Sequence, residues 1–441
     1  MLAGGYYLSG IRVTTVVCRF EPFMSRFIRF LIFVCLSLFL VSLVACQPAL
    51  NSNGALHGRI LLWHSWPEAD TAVLDQLLQQ FTAIHPGVTI ITAVIPPDEL
   101  RERYESTVPQ GLGPNLIIGR AEWIPDLAKQ GLIADFGEDI IVSFNFLAPA
   151  LRALRLQNND GLYGLPLSVS TNVLYYNTSQ VNRPAPTLDE LWTEAADGHV
   201  VAIPTTFADA YWGIHAFGEE LFDDDGHFTL VESGFLAWLN ALKEVQEIPN
   251  VVLSRDIAAL QQLFSSERAA YYIGRPEEMP ALQEALGEFV VGVAPLPTGP
   301  AGSSRSLLSV EALMLNTASS AQQTVVALEI AQFLTNQEQS TQLMRQAGHI
   351  PANRRVDINR QIYPAMSGFA LQARTAVVLP NHLPIQAIID LGDLAYANVL
   401  SGLLTPLEAV CDFGRSVVET EPDWATESTL PSTCPDPPEE S

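Results

Sequence analysis

The sequence predicts an α/β fold in which a mostly parallel sheet is covered by helices. Short apolar runs at residues 59–64, 87–95 and 116–119 are typical of strands. A helical pattern separates the first two runs, and a polar, helix-compatible stretch separates the second from the third. This alternation is typical of a parallel sheet. At 441 residues the chain is also long enough for two lobes, each with its own core.

The first helix of this pattern begins at Asp70 and ends at His85-Pro86-Gly87. The apolar residues on its predicted buried face are Val73, Leu74, Leu77, Leu78, Phe81 and Ile84. The polar stretch lies around residues 99–107. Further strands are predicted at residues 173–177, 199–204, 269–274, 289–296 and 311–316. Helices are predicted at residues 235–247 and 321–348, the second broken near Asn336.

The N-terminus has the pattern of a secretory signal. Residues 30–44 are apolar apart from two serines, and Arg26 and Arg29 precede them. The run is shorter than the roughly 20 residues of a membrane span. It leads into Leu43-Val44-Ala45-Cys46, which resembles a bacterial lipobox. We therefore expect residues 1–45 to be a lipoprotein signal peptide.

In that interpretation Cys46 carries a lipid anchor, and residues 46–57 form a polar linker. Residues 1–23 contribute nothing to the signal, so Met24 is an alternative start of translation. An uncleaved signal anchor remains the other interpretation of the apolar run.

The charge balance argues against a nucleic-acid partner. The formal net charge is −25, and the chain from Cys46 onward has 19 basic against 47 acidic residues, a net of −28. Such a field repels phosphate backbones. Residues 419–441 are acidic and rich in proline and serine, so they are predicted to form a flexible tail.

The cysteines suggest an oxidising compartment. After Cys46 only Cys411 and Cys434 remain, an even pair that permits a disulfide, with two free thiols as the alternative. No CxxC or Cys/His spacing predicts a metal, and we expect no cofactor.

Several strings resemble the family 1 extracellular solute-binding proteins, which include maltodextrin-binding proteins. GPNLIIGRAEWIPDLAKQGLIADF at 113–136 is the most specific, and GLYGLPLSVSTNVLYYN at 161–177 resembles a crossover of that family. Shorter similar strings are LLWHSW, FTAIHPGVTI, PAPTLDEL, LFSSERAAYYIG, VGVAPLP and ALEIAQFLTNQEQSTQLMRQAGHIPANRR. They follow the family's order across residues 58–412.

The resemblance implies a two-lobed periplasmic-binding-protein-like fold of type II, with three crossovers that form a hinge. By position, the crossovers fall near residues 167–173, 308–314 and 348–354. Lobe 1 would then combine residues 58–167 with 312–350, and lobe 2 would combine residues 171–308 with 352–418.

The function that the resemblance implies is capture rather than catalysis. A monomeric subunit of an ABC importer would hold a sugar or oligosaccharide in the interlobe cleft, close over it and dock on the permease subunits. With the lipid anchor, the protein would lie on the outer face of the bacterial cytoplasmic membrane, in the periplasm or at the cell surface.

Candidate ligand-binding residues follow the predicted strands, because ligands of open α/β sheets bind at the carboxyl ends of strands. A sugar needs aromatic faces and polar groups for its hydroxyls. The candidates that meet these criteria are His64, Trp66, Arg120, Glu122, Trp123, Ser170, Asn172, Asp209, Tyr211, Trp212, Arg275 and Glu311. Glu122 and Trp123 match positions where sugar-binding relatives place ligand contacts.

Each aromatic candidate also has a packing interpretation. Trp123 could pack on the helix that follows it, and Trp66 could lie in the cleft or in the core. Tyr211 and Trp212 begin a helix, so one of the pair is expected to face the core.

One departure from the family leaves the cargo open. Sugar-binding relatives often carry a tryptophan after the strand that matches AAYYIG, whereas this chain continues Gly274-Arg275-Pro276-Glu277. Arg275 could then pair with an anionic group of a smaller or more polar cargo.

Alternative cargoes are a glycerol phosphate, a metal chelate and a polyamine, for which Glu122, Asp209 and Glu311 could supply carboxylates. A binding protein that feeds a sensor without import is another alternative. A hydrolase using Glu122 and Asp126 is disfavoured, because no G-x-S-x-G or HExxH motif supports it.

Overall fold

The computed structural model describes residues 55–137, 145–156, 159–223, 226–381, 385–420 and 430–434. The predicted signal peptide, Cys46 and most of the linker lie outside these residues, as does most of the predicted tail. Within the described residues, no helix combines the length and apolar character that crossing a bilayer requires.

The strands of the described residues, in chain order, are β1 (His57–His64), β2 (Gly87–Val94), β3 (Leu116–Arg120), β4 (Ile133–Ala134), β5 (Arg155–Leu156), β6 (Asn159–Leu162), β7 (Leu165–Ser170), β8 (Val173–Asn177), β9 (Val201–Pro204), β10 (Val251–Ser254), β11 (Tyr271–Gly274), β12 (Val291–Ala294), β13 (Ser309–Asn316) and β14 (Ile350–Pro351). The α-helices are α1 (Glu68–Ile84), α2 (Pro97–Thr107), α3 (Ile124–Lys129), α4 (Ala148–Ala153), α5 (Leu188–Ala196), α6 (Phe207–Ala210), α7 (Gly213–Phe217), α8 (Phe235–Val245), α9 (Ile257–Ser265), α10 (Met279–Leu286), α11 (Ala321–Thr335), α12 (Gln337–Ala347), α13 (Pro364–Ala373), α14 (Ile385–Leu400) and α15 (Pro406–Thr420).

Two sheets form the centres of two lobes, as the predicted fold class requires. The sheet of lobe 1 has the order β14-β7-β13-β3-β1-β2, and β4 pairs with β13. The sheet of lobe 2 has the order β10-β9-β11-β8-β12.

The sheets are mixed, which corrects the prediction of a mostly parallel sheet. β1 pairs in parallel with β2 and β3, and β9 does so with β10 and β11. β13, however, runs antiparallel to β3, β4 and β7. The reason is that β7 and β13 are strands at which the chain passes between lobes, so no helical crossover fixes a parallel direction.

The chain passes between the two sheets three times, and the first passage is shorter than the other two. Thr171 and Asn172 lead directly from β7 in lobe 1 to β8 in lobe 2. Residues 295–308 return the chain from β12 to β13. After β14, the chain leaves lobe 1 again for α13, where Gly368 packs against Val293 of β12.

The apolar periodicity places most core residues correctly. Helix α1 buries Val73, Leu74, Leu77, Leu78 and Phe81. Ile84, which was predicted on the same face, is 64% exposed at the C-terminal end of the helix. The predicted break near Asn336 separates α11 from α12, because the Asn336 side chain caps α12 by accepting hydrogen bonds from its first turn.

A disulfide joins Cys411 of α15 to Cys434. Residues 430–434 are therefore attached to lobe 2, and Leu430 packs over Gly414 of the same helix.

Candidate functional site

A cavity of about 490 Å³ lies between the two lobes. Lobe 1 contributes the segment after β3, and lobe 2 contributes Arg275 and residues from 378–381 and 385–389, with Leu307 to Ser309 between them. The polar and aromatic residues that line it are Arg101, Arg120, Glu122, Trp123, Asp126, Arg275, Ser309, Asn381 and Gln386. Four of the predicted site residues, Arg120, Glu122, Trp123 and Arg275, are thus brought together here.

Trp123 supplies the aromatic surface of the cavity. A short 3-10 helix at Ala121–Trp123 follows β3 directly and turns the indole back over the strand. A Cβ at Gly119 would lie 2.4 Å from Cζ3 of Trp123, so the indole lies directly on the strand backbone. The side chain is half-buried and lines the cavity, which means that it both packs and faces the cleft.

Glu122 is held at the cavity wall by lobe 1 and the second crossover. Ser309 Oγ donates a hydrogen bond to Glu122 Oε1 at 3.0 Å. Arg120 Nε lies 3.4 Å from Glu122 Oε2, in a largely exposed ion pair. The carboxylate is therefore fixed in place while it still lines the cavity, so it can accept hydrogen bonds from a hydroxyl-rich ligand.

Arg275 is already paired within lobe 2. Its guanidinium contacts Asp209 Oδ1 at 2.9 Å from Nε and at 2.8 Å from the terminal nitrogen. Burial disfavours the charged guanidinium, but the charge of Asp209 and its hydrogen bonds outweigh burial and raise the pKa of Arg275. Asn172 Nδ2 donates to the Asp209 backbone oxygen at 2.7 Å, which attaches this pair to the first crossover. Arg275 is therefore not an unpaired cation that is available to an anionic cargo.

Glu311 lies at the centre of a polar network behind the cleft. Trp66 Nε1 donates to Glu311 Oε1 at 2.6 Å, and Ser168 Oγ donates to Oε2 at 2.9 Å. His349 Nδ1 lies 3.7 Å from Glu311 Oε2, and its Nε2 lies 3.1 Å from Asp70 Oδ2. Glu311 therefore contacts residues at both other crossovers as well as the end of β1.

The pKa values of the two histidines near this network, His349 and His64, are shifted in opposite directions. Burial opposes the charge of His349, but Asp70 and Glu311 outweigh it and raise the pKa of His349. Burial lowers the pKa of His64, which is fully buried, and the Trp66 backbone N–H donates a hydrogen bond to His64 Nδ1 at 3.2 Å. His64 thus supports Trp66 and does not line the cavity.

Tyr211 and Trp212 do not belong to the site. Tyr211 is 2% exposed and Trp212 is fully buried, so both of the pair face the core of lobe 2 rather than one of them. Trp212 packs on Trp238 of α8 with ring centroids 4.7 Å apart, and burial raises the pKa of Tyr211. The physical reason is that each ring has an apolar partner in this core, Trp238 of α8 for Trp212 and Phe207 of α6 for Tyr211, whose ring centroids lie 5.5 Å apart.

The remaining predicted residues do not line the cavity. They are Ser170, Asn172, Asp209, Trp66 and Glu311, and each bonds another polar group of the protein. Ser170 Oγ, for example, donates to Glu277 Oε2 at 2.9 Å, which joins β7 of lobe 1 to the segment after β11 of lobe 2.

Sequence reasoning missed several lining residues. Ser309 would have been found if the strand predicted at 311–316 had been extended to the start of β13, because it lies two residues before Glu311 and therefore on the same face. Val378, Leu379, Asn381 and Gln386 come from a stretch with no strand or motif to mark it. Among the described residues, no group of three or more His, Cys, Asp or Glu side chains is arranged to hold a metal ion.

Comparison with known proteins gives a consistent result. The family profile described as bacterial extracellular solute-binding protein matches residues 76–363. The chain is 25% identical over 353 residues to a maltotriose-binding protein of Pyrococcus abyssi, which covers 75% of each chain. It is 22% identical over 394 residues to a galactooligosaccharide-binding protein of Bacillus subtilis, which covers 84% of this chain and 92% of that protein.

Solved structures share the fold at lower identity. The crystal structure of a cyclo/maltodextrin-binding protein complexed with maltotetraose superposes with a TM-score of 0.74 at 22% identity. The superposition covers 83% of this chain and 98% of the other. The two-lobed arrangement of type II binding proteins is therefore common to both.

Proposed function

Because the chain belongs to the family of bacterial extracellular solute-binding proteins, we propose that it captures a sugar or oligosaccharide for an ABC importer. The observation that carries the proposal is the pairing of Trp123 and Glu122 on one wall of the interlobe cavity with the Arg275–Asp209 pair on the other. The names of the relatives, a maltotriose-binding and a galactooligosaccharide-binding protein, support a carbohydrate as the cargo.

The lining suits a neutral, hydroxyl-rich molecule. An indole face packs against the C–H-rich face of a sugar ring, and carboxylate and guanidinium groups bond its hydroxyls. A cavity of about 490 Å³ lies within the usual range for small-molecule sites.

The same contacts argue against a polyamine. Each lining carboxylate has a cationic neighbour, Arg120 beside Glu122 and Arg101 beside Asp126 at 2.5 Å. Asp209, the third carboxylate near the cavity, is bonded to Arg275. Since these charges are compensated inside the protein, a polycationic cargo would have to displace existing ion pairs.

Capture in this proposal depends on hinge closure. The cavity has walls from both lobes, so a ligand that touches both favours the closed arrangement by its higher affinity for that state. The chain performs no bond chemistry, and the closed form docks on the permease as a monomer.

Export and anchoring complete the proposal. Residues 1–45 act as the lipoprotein signal peptide, and Cys46 carries the lipid that holds the protein on the outer face of the cytoplasmic membrane. Metabolic labelling with an alkyne fatty acid should label the wild type and leave Cys46→Ser unlabelled. Equal labelling of the wild type and of Cys46→Ser would contradict the assignment of Cys46 as the lipid-modified residue.

The cargo is tested by thermal shift with the exported chain carrying Cys46→Ser. The panel contains maltotriose, galactooligosaccharides, glucose, glycerol 3-phosphate and spermidine. A ligand at 100 times its dissociation constant stabilises the folded state by about 2.7 kcal/mol, so the cargo should raise the midpoint clearly. A shift with spermidine or glycerol 3-phosphate alone would refute the carbohydrate proposal.

Import is separated from sensing by deletion of the genes for the permease subunits that this proposal assigns as partners. Uptake of the labelled cargo should stop in the deletion strain while binding by the purified protein persists. Unchanged uptake, with loss of a transcriptional response to the cargo when this protein is deleted, would favour the sensing role.

A further inference from the structure

A second cavity, of about 410 Å³, lies on the segment after the third crossover and shares no lining residue with the interlobe cavity. It is formed by residues 354–358 on one side and by helix α13 on the other. Its charged lining residues are Arg354, Arg355, Arg374 and Asp357. Three guanidinium groups against one carboxylate give this concave surface an excess of positive charge.

The position of these arginines is unusual for this chain. Residues 345–374 contain Arg345, Arg354, Arg355, Arg360 and Arg374 and the single acid Asp357, whereas the chain from Cys46 onward has 19 basic against 47 acidic residues. About a quarter of the basic residues are thus concentrated in a short segment around one cavity.

Two of the guanidinium groups are available to a ligand. Arg354 and Arg374 are exposed, and within the described residues no carboxylate lies within ion-pair distance of either. Arg345, by contrast, lies over the Tyr363 ring at 5.9 Å from its centroid and lines a neighbouring cavity. Ser367 adds a hydroxyl donor to the arginine cavity.

We propose that the arginine cavity binds a phosphate group carried by an organic molecule. Guanidinium groups bond phosphate oxygens in pairs, so Arg354 and Arg374 can together bond the oxygens of one phosphate. Val356, Ile358, Ala370 and Leu371 line the same cavity and provide an apolar surface for the organic part.

The net negative charge of the protein does not prevent this binding. At physiological ionic strength the Debye length is about 8 Å, so charges farther away are largely screened. The local excess of arginine therefore decides the sign of the potential inside the cavity.

The phosphate can come from a soluble compound or from a lipid headgroup, and two measurements distinguish these sources. Inorganic phosphate is titrated calorimetrically into the exported chain carrying Cys46→Ser at low salt. The same protein is then floated with vesicles of phosphatidylcholine, with and without phosphatidylglycerol. The Cys46→Ser change ensures that no acyl chain of the protein inserts in the vesicles.

Variants assign the binding to the cavity. Arg354→Ala and Arg374→Glu should each weaken phosphate or vesicle binding at least tenfold. Arg360→Ala, which removes the same charge from the same segment but outside the cavity, should change it less than twofold. The thermal midpoint and the affinity for the sugar cargo should stay unchanged in all three, because these side chains are exposed and do not line the interlobe cavity.

Dependence of phosphate binding on Arg354 and Arg374 supports the site with a soluble ligand. The same dependence of binding to phosphatidylglycerol vesicles supports it with a lipid headgroup. The proposal is overturned if neither probe binds, or if Arg360→Ala weakens binding as much as Arg374→Glu. Neither result bears on the interlobe site, which is assayed separately with the sugar panel.

Discussion

Trp123 follows strand β3 and Trp212 comes after strand β9, but the two side chains lie in different surroundings. Trp123 lines the cavity and rests on Gly119, whereas Trp212 is fully buried against Trp238. Trp123→Ala should weaken cargo binding by about 2 kcal/mol, roughly thirtyfold, because it removes the aromatic wall. Isothermal titration with the sugar found by thermal shift measures this loss.

Trp212→Ala is the matched control for that substitution. It should cost about 3–5 kcal/mol of unfolding free energy, because it opens a cavity in a closely packed core. The folded fraction should bind the cargo with unchanged affinity. If Trp123→Ala instead lowers stability and spares binding, the assignment of the two tryptophans is reversed.

His349 makes the stability of the hinge region depend on pH. Asp70 and Glu311 hold the folded-state pKa of His349 above the unfolded value of about 6.5, despite the burial that opposes its charge, with Glu277 adding to their effect. The stabilising contribution is therefore complete below that unfolded value and is lost as the pH rises through the raised folded value. Urea unfolding between pH 5 and 9 should show the loss.

His349→Gln is the reference for this measurement, since it removes the titrating group and keeps a hydrogen-bond donor. The difference in unfolding free energy between wild type and variant should shrink as the pH rises. Burial lowers the pKa of His64, so His64 destabilises the fold as the pH falls, but it does so in both proteins and cancels in the difference. A difference that stays constant with pH would contradict the role of His349.

The sequence predicted the location of a side chain correctly only where the local structure determines the direction in which that side chain points. Trp123 follows a strand, and a residue there reaches the cleft at the carboxyl end of the sheet. Tyr211 and Trp212 satisfied the same rule, but both are buried in the core of lobe 2, where Trp212 packs on Trp238 of helix α8. That packing depends on a contact with a distant segment, and no pattern near residue 211 reveals it.

Strand β3 and the 3-10 helix after it determine where the indole of Trp123 lies. Gly119→Ala would place a Cβ 2.4 Å from Cζ3 of Trp123 and 2.9 Å from Cε of Met314, so the ring must move. Cargo affinity should fall about tenfold or more, with a stability cost of about 1–3 kcal/mol from overpacking. Titration calorimetry and urea unfolding measure the two effects.

Gly164→Ala serves as the comparison for the strand substitution. Its Cβ would approach Leu313 O at 3.1 Å in the same lobe and would not meet Trp123. It should therefore lower stability while cargo affinity stays near the wild-type value. Equal losses of affinity in the two variants would mean that general strain in lobe 1, rather than displacement of the indole, controls binding.

Helix α15 is tied to residues 430–434 by the disulfide, which closes a loop with a sequence separation of 23. Cys434→Ser should lower the unfolding free energy by about 3 kcal/mol, because the unfolded chain regains the entropy of that loop. Cys434 is the better position to change, since Cys411 is fully buried and a hydroxyl there would lose its solvation. Equal stability of the oxidised wild type and the variant in urea would contradict the prediction.

Elements with strong local periodicity were predictable, and so was the parallel direction of β1, β2 and β3. The position of β13, antiparallel between β3 and β7, was not predictable, because it depends on where the chain crosses between lobes. Helices α13 and α14 were missed, and they pack against elements distant in the sequence, α13 on β12 and α14 on α6 and α8.

The whole molecule combines two sheets that share a cavity and a hinge. Both lobes reach the cavity, and Glu311 connects the three crossovers through Ser168 and His349. The two-lobed order followed from family strings spread over residues 58–412, because no single pattern fixes the arrangement of two domains. The cavity itself depends on Val378, Leu379, Asn381 and Gln386, which no sequence pattern indicated.

Closure of the lobes over the cargo is the last prediction. A ligand that bridges Trp123 and Glu122 of lobe 1 and Arg275 of lobe 2 has its full affinity only when the lobes approach, so binding must shift the population toward the closed state. Small-angle X-ray scattering should therefore show a smaller radius of gyration when saturating sugar is added to the exported chain. Trp123→Ala should need roughly thirty times more sugar for the same change in radius, in line with its weaker binding. An identical radius with and without bound sugar in the wild type would rule out closure, because capture would then occur in a rigid site.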